Sequence, residues 1–344
     1  MKSRLVEKKD LFSWIDRLAK ANEVIAPVKQ ENFTKFAPIS SAAQIVWGAP
    51  QSVLPPKQFF SPQQETLLRY EFQEKEIKLQ SEVIAQKRIL VGVHPCDLNA
   101  IYLMDQVWAE KNKDDYYLAK RQSAILVGVD CLIPCSPEAF CLRMGGLDPK
   151  QRFDLFITDL GKNFLVEIQT SAGEKLLGNL GKEAKAADFK KLSAFRKKRN
   201  ALFSRRQPKL LPKYQDLPKL MKSNYQHPLW EERGKKCYGC GSCNMVCPTC
   251  YCFDVKDQLE IDLKEGTRDR VWDGCLLADF AKVGSGENFR ERRSDRLRHR
   301  TYRKLYYLFE KWGESFCTGC GRCVRACLTK IVSPLEIANE LGKK

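Results

Sequence analysis

The chain has 344 residues, 43% of them hydrophobic, enough for two or three domains with buried cores and too apolar for a disordered tail. It carries 59 Lys and Arg against 42 Asp and Glu, and its formal charge of +17 calls for an acidic protein surface, nucleic acid or anionic lipid without choosing among them. No apolar run approaches the roughly 20 residues of a bilayer span and the opening residues hold no apolar signal core, so the expected location is the cytoplasm, where 15 cysteines stay reduced and read as metal ligands.

In chain order, residues 1–85 read as a helical and irregular region. Asp10 is placed to cap a helix whose apolar face is Leu11, Ile15 and Leu18. Ser61-Pro62-Gln63-Gln64 has the form of a capping box with proline at the first helical position, which predicts a helix through Leu67, Leu68 and Phe72. The proline-containing stretch between them, 26–62, predicts irregular chain. Nothing in this region points to chemistry.

Residues 86–185 predict an α/β domain with a Cys-rich site. The run Ile89-Leu90-Val91-Gly92-Val93 recurs almost unchanged as Ile125-Leu126-Val127-Gly128-Val129, and continuous aliphatic runs of this length are the habit of strands buried in parallel sheets. Between them Leu98, Ile101, Asp105 and Trp108 follow helical spacing, with Asp97 as N-cap. The three elements make a βαβ unit, and further strands are predicted at 154–158 and 164–168. Residues 186–235 read as a basic helix and a proline-punctuated linker. Neither Gly145-Gly146 nor Gly284-Ser285-Gly286 sits in the strand–turn–helix setting of a dinucleotide fingerprint, so no NAD-binding loop is expected. Residues 236–335 predict a ferredoxin-like domain for two [4Fe–4S] clusters. The fold class is therefore α+β: a central α/β domain with a small parallel or mixed sheet, then a two-cluster domain with a long helical insert.

That last domain rests on two cysteine quartets. Cys237, Cys240, Cys243 and Cys247, followed by Pro248, keep the spacing C-x2-C-x2-C-x3-C-P, and Cys317, Cys320, Cys323 and Cys327 repeat it with Leu328 in place of the proline. A tight triplet supplies three corners of one cubane, and in two-cluster ferredoxins the fourth cysteine ligates the other cluster. One cluster is then expected on Cys237, Cys240, Cys243 and Cys327, the other on Cys317, Cys320, Cys323 and Cys247. Zinc is the competing reading, though it prefers separated C-x2-C pairs. The 69-residue insert holds Tyr302, Leu305, Tyr306, Phe309 and Trp312 at helical spacing up to Gly313. Its arginine-dense stretch 290–300 reads either as a solvated face or as a docking face for an acidic partner subunit.

Cys96 and Cys131 each follow an ILVGV strand and should meet at the carboxyl ends of a parallel sheet, where sites form. Cys135 and Cys141 follow in a loop. A third iron–sulfur cluster on these four, a zinc or redox thiol site, and plain buried thiols are the readings left open. Cys250, Cys252 and Cys275 read as small buried hydrophobes. His94 lies beside Cys96 as a structural histidine or a donor to the site.

The segments VGVHPCDLNAIYLMDQVW, CPTCYCFDV, WDGC, NFRERRSDRLRHRTYRK and CTGCGRC, in this order, resemble one family across about 55–330. It joins the β subunit of cytoplasmic sulfhydrogenases to the dicluster electron-transfer subunit of anaerobic sulfite reductase. The resemblance implies an electron conduit. At one end would stand a flavin-containing, NAD(P)H-reacting subunit; at the other, a terminal catalytic partner of the hydrogenase, sulfite reductase or heterodisulfide-reductase-like kind. It also implies ligand roles for the eight quartet cysteines and for Cys96, Cys131, Cys135 and Cys141. The chain is thus expected to be an iron–sulfur electron-transfer subunit of an oxidoreductase complex, with no catalytic residue of its own and no membrane insertion. A thiol or sulfur reductase using the central cysteines is the alternative. Nucleic-acid binding through 190–206 and 290–304 rests on charge alone, with no interleaved aromatics.

Overall fold

The two ILVGV runs pair side by side in parallel, Ile89 with Ile125 and Val91 with Val127, and almost every residue of both is buried. They are the centre of an eight-stranded mixed sheet. This computed structural model describes residues 2–74, 76–81, 83–150 and 152–343.

From the N-terminus the chain forms β1 (Lys2–Glu7), α1 (Lys8–Ala21), β2 (Glu23–Gln30) and β3 (Phe33–Ile39), then β4 (Gln64–Phe72) and β5 (Ile77–Ser81). The βαβ unit follows as β6 (Arg88–Val93), α2 (Pro95–Trp108), α3 (Asp115–Gln122) and β7 (Ala124–Val129). Next come β8 (Leu155–Asp159), β9 (Asn163–Ile168), α4 (Ser171–Leu177), β10 (Lys182–Glu183) and the long α5 (Ala186–Arg206). The large sheet has the order β10-β1-β9-β8-β7-β6-β2-β3. Strands β2, β6, β7 and β8 are mutually parallel, and antiparallel strands extend both edges. Helix α1 packs Leu11, Trp14 and Ile15 on one face. Helix α2 packs Leu98, Ile101 and Met104 on the other, each such side chain worth about 1.5–3 kcal/mol when fully buried.

The remaining elements are α6 (Leu217–Ser223), α7 (Leu229–Lys236), α8 (Ser242–Met245), β11 (Phe253–Leu259), β12 (Glu265–Trp272), α9 (Arg293–Leu305), α10 (Tyr307–Trp312), α11 (Arg322–Ala326) and α12 (Pro334–Leu341). The insert between the quartets is thus a hairpin as well as a helix. The helix itself breaks at Tyr306 and ends, as its sequence predicts, at Gly313 in the left-handed conformation. Among the described residues no helix is long and apolar enough to cross a membrane.

The first 85 residues differ most from their sequence reading. The stretch 26–62 contains most of β2 and all of β3, and the helix expected through Leu67 and Phe72 is strand β4. Ser61 does not cap: its carbonyl accepts from the Trp272 indole. Strand β4 lies between β5 and β12 in a second, antiparallel sheet of order β11-β12-β4-β5. Long-range pairing overrides the local capping signal here, a common outcome for marginal propensities. Two N-cap assignments also shift. Helix α1 starts directly from β1, which leaves Asp10 inside its first turn. Helix α2 starts at Pro95, which leaves Asp97 three residues in and buried.

The repeated ILVGV glycines do different work. Gly128 is buried under Leu98 and Phe156, where a Cβ would stand 2.6 Å from a ring carbon. Gly92 takes φ +79° at a register shift in β6, with Pro27 2.9 Å from any added Cβ. Gly92→Ala is expected to lose about 1–2 kcal/mol from the left-handed conformation alone, with the Pro27 contact added, read as a lowered midpoint in urea unfolding.

Candidate metal centres

The two quartet loops share one backbone design. Cys237 closes α7 and Cys243 lies in α8, while Cys323 lies in α11 and Cys327 closes it. Between the cysteines Gly239 and Gly241 have φ 69° and 72°, and Gly319 and Gly321 have φ 69° and 79°. Any other residue there would incur the left-handed penalty. The loops face each other through contact of α8 with α11, and each triplet meets the fourth cysteine of the other quartet. Cys237, Cys240, Cys243 and Cys327 line one small cavity. Cys247, Cys317, Cys320 and Cys323 line a second. The first is nearer solvent: Cys240 is exposed, as are Tyr238 at 70% and Leu328 at 84%.

The surroundings of these cavities fit an iron–sulfur group. The donors are all sulfur, the choice of soft metals and clusters. Among the described residues no three Cys, His, Asp or Glu side chains converge as ligands of a single ion do; each quartet triplet lines a cavity with the last cysteine of the other. Burial pushes the thiols of Cys243 and Cys320 up to about 12, against the pull of Arg300 on the first and Arg322 on the second. They are proton-bearing thiols unless a metal displaces the proton. Arg300 is buried, its Nε and Nη1 have no hydrogen-bond partner, and the nearby groups whose charge acts on it are the thiols of Cys243, Cys323, Cys247 and Cys250. Thr318 Oγ1, on the wall of the second cavity, is likewise without a partner. Inorganic sulfide would accept from such donors.

Cys96 and Cys131 stand at the carboxyl ends of neighbouring strands β6 and β7. Cys96 and Cys141 are buried with Leu147 and Phe203, and Cys131 and Cys320 pack against them. Cys131 is hydrogen-bonded to Cys135. Cys135 Sγ lies 3.7 Å from His94 Nδ1, and the Cys131 bond together with the His94 charge pulls the Cys135 thiol down despite burial. Gln207 Nε2 donates to Cys141 Sγ at 3.2 Å. The four central thiols are therefore one group, and it adjoins the second quartet.

That adjacency is built from backbone. Phe140 N–H donates to Gly319 O at 2.7 Å. A Cβ on Gly319 would stand 2.7 Å from Cys141 Cα, one on Gly321 2.7 Å from the Glu138 carbonyl, and one on Gly146 2.1 Å from Thr318 O. Asp97 and Arg322 cross the same junction as a two-pronged ion pair, Nη1–Oδ1 2.6 Å and Nη2–Oδ2 2.8 Å, both side chains almost wholly buried.

Four features go beyond the sequence reading. The segment 51–57, where nothing pointed to chemistry, straps the quartet loops: Gln51 donates to Cys320 O, Ser52 O accepts from Arg322 Nε at 2.7 Å, and Lys57 donates to Cys250 O. The arginine stretch 290–300 is not simply a solvated or docking face. Arg293 Nη1 reaches Cys237 O at 2.7 Å, Arg296 is buried, and Arg300 Nη2 reaches Cys243 O at 3.3 Å. One turn further Lys304 donates to Thr249 O at 2.9 Å. Residues 293, 296, 300 and 304 share one side of a helix, so a cationic stripe faces the cysteine loops. The basic run 190–206 is partly engaged internally, Arg196 with Glu167 and Arg199 with Asp130. Finally, Cys250 and Cys275 are buried and share one donor, Asn244 Nδ2, at 3.6 and 3.4 Å, and Cys252 is half-buried nearby.

A family model described as a 4Fe-4S dicluster domain matches residues 236–331. The β subunit of sulfhydrogenase 2 from Pyrococcus furiosus is 30% identical over 324 residues, which cover 92% of this chain and 92% of that protein. No solved structure matches.

Asp97→Ala strands the Arg322 charge in the interior. The expected loss is about 3–5 kcal/mol, seen as a lower urea midpoint with an unchanged slope.

Proposed function

Because the chain belongs to the family of the sulfhydrogenase β subunit, we propose that it relays single electrons through two [4Fe–4S] clusters, one held by Cys237, Cys240, Cys243 and Cys327 and the other by Cys317, Cys320, Cys323 and Cys247. The observation that carries this reading is the exchange of fourth ligands: each cysteine triplet shares its cavity with the last cysteine of the other quartet. A bound cluster would supply reversible one-electron chemistry at fixed geometry. The chain's own part is to hold eight thiolates in register, aim donors at the cluster sulfurs and keep water from the inner site. The left-handed glycines do the first, and Arg300 with its free Nε and Nη1 does the second. Phe140 and Phe316, both buried on the wall of the second cavity, do the third.

The central thiols extend the relay. Cys96, Cys131, Cys135 and Cys141 are proposed to hold a third iron–sulfur cluster, with Cys135 fixed by His94 and Cys141 by Gln207. Since Cys320 packs against this group, the order of sites runs from the exposed Cys237 loop, through the Cys317 loop, to the sheet. One end is proposed to meet a flavin-containing, NAD(P)H-reacting partner chain and the other a terminal hydrogenase or related oxidoreductase, in the cytoplasm. That the relative is itself a named subunit supports the existence of such partners.

Two measurements test the reading. In the assembled complex Cys320→Ser is expected to abolish electron flow from NAD(P)H to the terminal acceptor while the flavin subunit still reduces a dye; normal physiological turnover would contradict the relay. Replacing Cys96, Cys131, Cys135 and Cys141 together by Ala is expected to lower the iron content of the anaerobically purified chain, and an unchanged iron count would remove the third site.

A further inference from the structure

Lys57, Arg300 and Lys304 are 4%, 1% and 4% exposed. Lys57 comes from the strap between β3 and β4, the other two from α9, and they meet around the loop 247–252. A buried ion without a counter-charge costs several kcal/mol. Three buried arginines meet that cost with carboxylates: Arg322 is paired with Asp97, Arg199 with Asp130, and Arg270 with Glu65 and Asp114. A fourth, Arg296, meets the backbone carbonyls of Arg290 and Glu291. Lys57, Arg300 and Lys304 have no carboxylate partner among the described residues. Arg300 and Lys304 line the second cavity beside Cys247, Cys317, Cys320 and Cys323, and the nearby groups whose charge acts on the cations are mainly thiols: Cys243, Cys323, Cys247 and Cys250 for Arg300, Cys247, Cys250 and Cys275 for Lys304, Cys250, Cys247 and Cys252 for Lys57. The neutral contacts they make are few. Lys57 Nζ donates to Cys250 O and lies 4.1 Å from the Trp272 ring centroid, and Lys304 Nζ donates to Thr249 O and Oγ1, each at 2.9 Å.

Neutral thiols cannot balance three charges. A cubane with four thiolates carries net negative charge in both redox states and becomes more negative by one on reduction. We propose that Lys57, Arg300 and Lys304 are the counter-charge of the cluster at Cys247, Cys317, Cys320 and Cys323, and that they raise its potential by favouring the reduced state. The step is the arrival of one electron from the preceding centre of the relay. No bond forms or breaks and no proton moves, because the compensating charge is already in place. The inference rests on the cluster reading and adds to it a division of labour. Arg300 reaches the Cys243 carbonyl of one site and lines the cavity of the other, whereas Lys57 bonds the loop that follows Cys247, at Cys250 O, so Lys57 is the residue that sets the two clusters apart.

The test is redox titration of the full chain, purified and reconstituted without oxygen, followed by electron paramagnetic resonance alongside iron and sulfide analysis. Lys57→Met is expected to retain iron, lower the midpoint of one cluster signal and leave the other in place. Lys57→Arg, which keeps the charge, is expected to stay near the parent value, as is the exposed control Lys190→Met. Lys304→Gln, which keeps a donor for Thr249 without the charge, gives the same reading should Lys57→Met fold poorly. Full iron content with unmoved midpoints in both charge-removing variants would overturn the counter-charge role and leave the clusters standing. A parent chain with no iron–sulfur signal would instead sink the cluster reading beneath it.

Discussion

One buried guanidinium holds the sulfur-rich interior together. Arg322 opens α11 in the second quartet, yet its three donor groups reach Asp97 in the first turn of α2 and Ser52 in the N-terminal strap. Three segments spread over 270 residues of chain are joined there in a buried contact. The fork geometry makes the contact directional as well as charged. Because Cys96 precedes Asp97 and Cys320 precedes Arg322 by one and two residues, the same ion pair fixes the distance between the sheet's thiols and the second quartet. The proposed relay across that junction would depend on a contact that contains no sulfur at all.

Around it the interior shows two ways of burying a cation. Where a carboxylate can be brought in, it is, and the bond is tight. Around loop 247–252, where cysteines line the site, no carboxylate among the described residues pairs with Lys57, Arg300 or Lys304, and the cations remain. Burial of unpaired charge on this scale is tolerated only if something in the site supplies the opposite sign. Thiolates holding the proposed cluster would supply it, since a four-thiolate cubane carries net negative charge.

The same contrast explains what is legible in the sequence. The quartets are legible because their ligand spacing is local, and the central strands β6 and β7 because an aliphatic run buried on both faces leaves a continuous signature. Asp97 reads as a cap because its partner, Arg322, lies at the far end of the chain. Strand β4 reads as a helix for the same reason: it is fixed by β12, about two hundred residues later. The stripe Arg293, Arg296, Arg300 and Lys304 reads outward because hydropathy sends charge to the surface unless a counter-charge is visible, and thiols are not counted as charge. The closeness of loop 138–146 to loop 318–321 has no signal beyond three glycines, whose need appears only when both backbones are in place.

The insert between the quartets bears on why this domain is larger than a bare pair of cysteine loops. Closing a 69-residue loop costs on the order of 4 kcal/mol in chain entropy, a cost that a short turn would avoid. In return the hairpin β11–β12 pairs with β4 along seven aligned positions, which locks the N-terminal region, and hence the strap bearing Lys57, onto the quartet loops. The helix that follows carries Arg300 and Lys304. The insert therefore supplies two of the buried cations itself and, through the pairing of β12 with β4, holds the strap that carries the third.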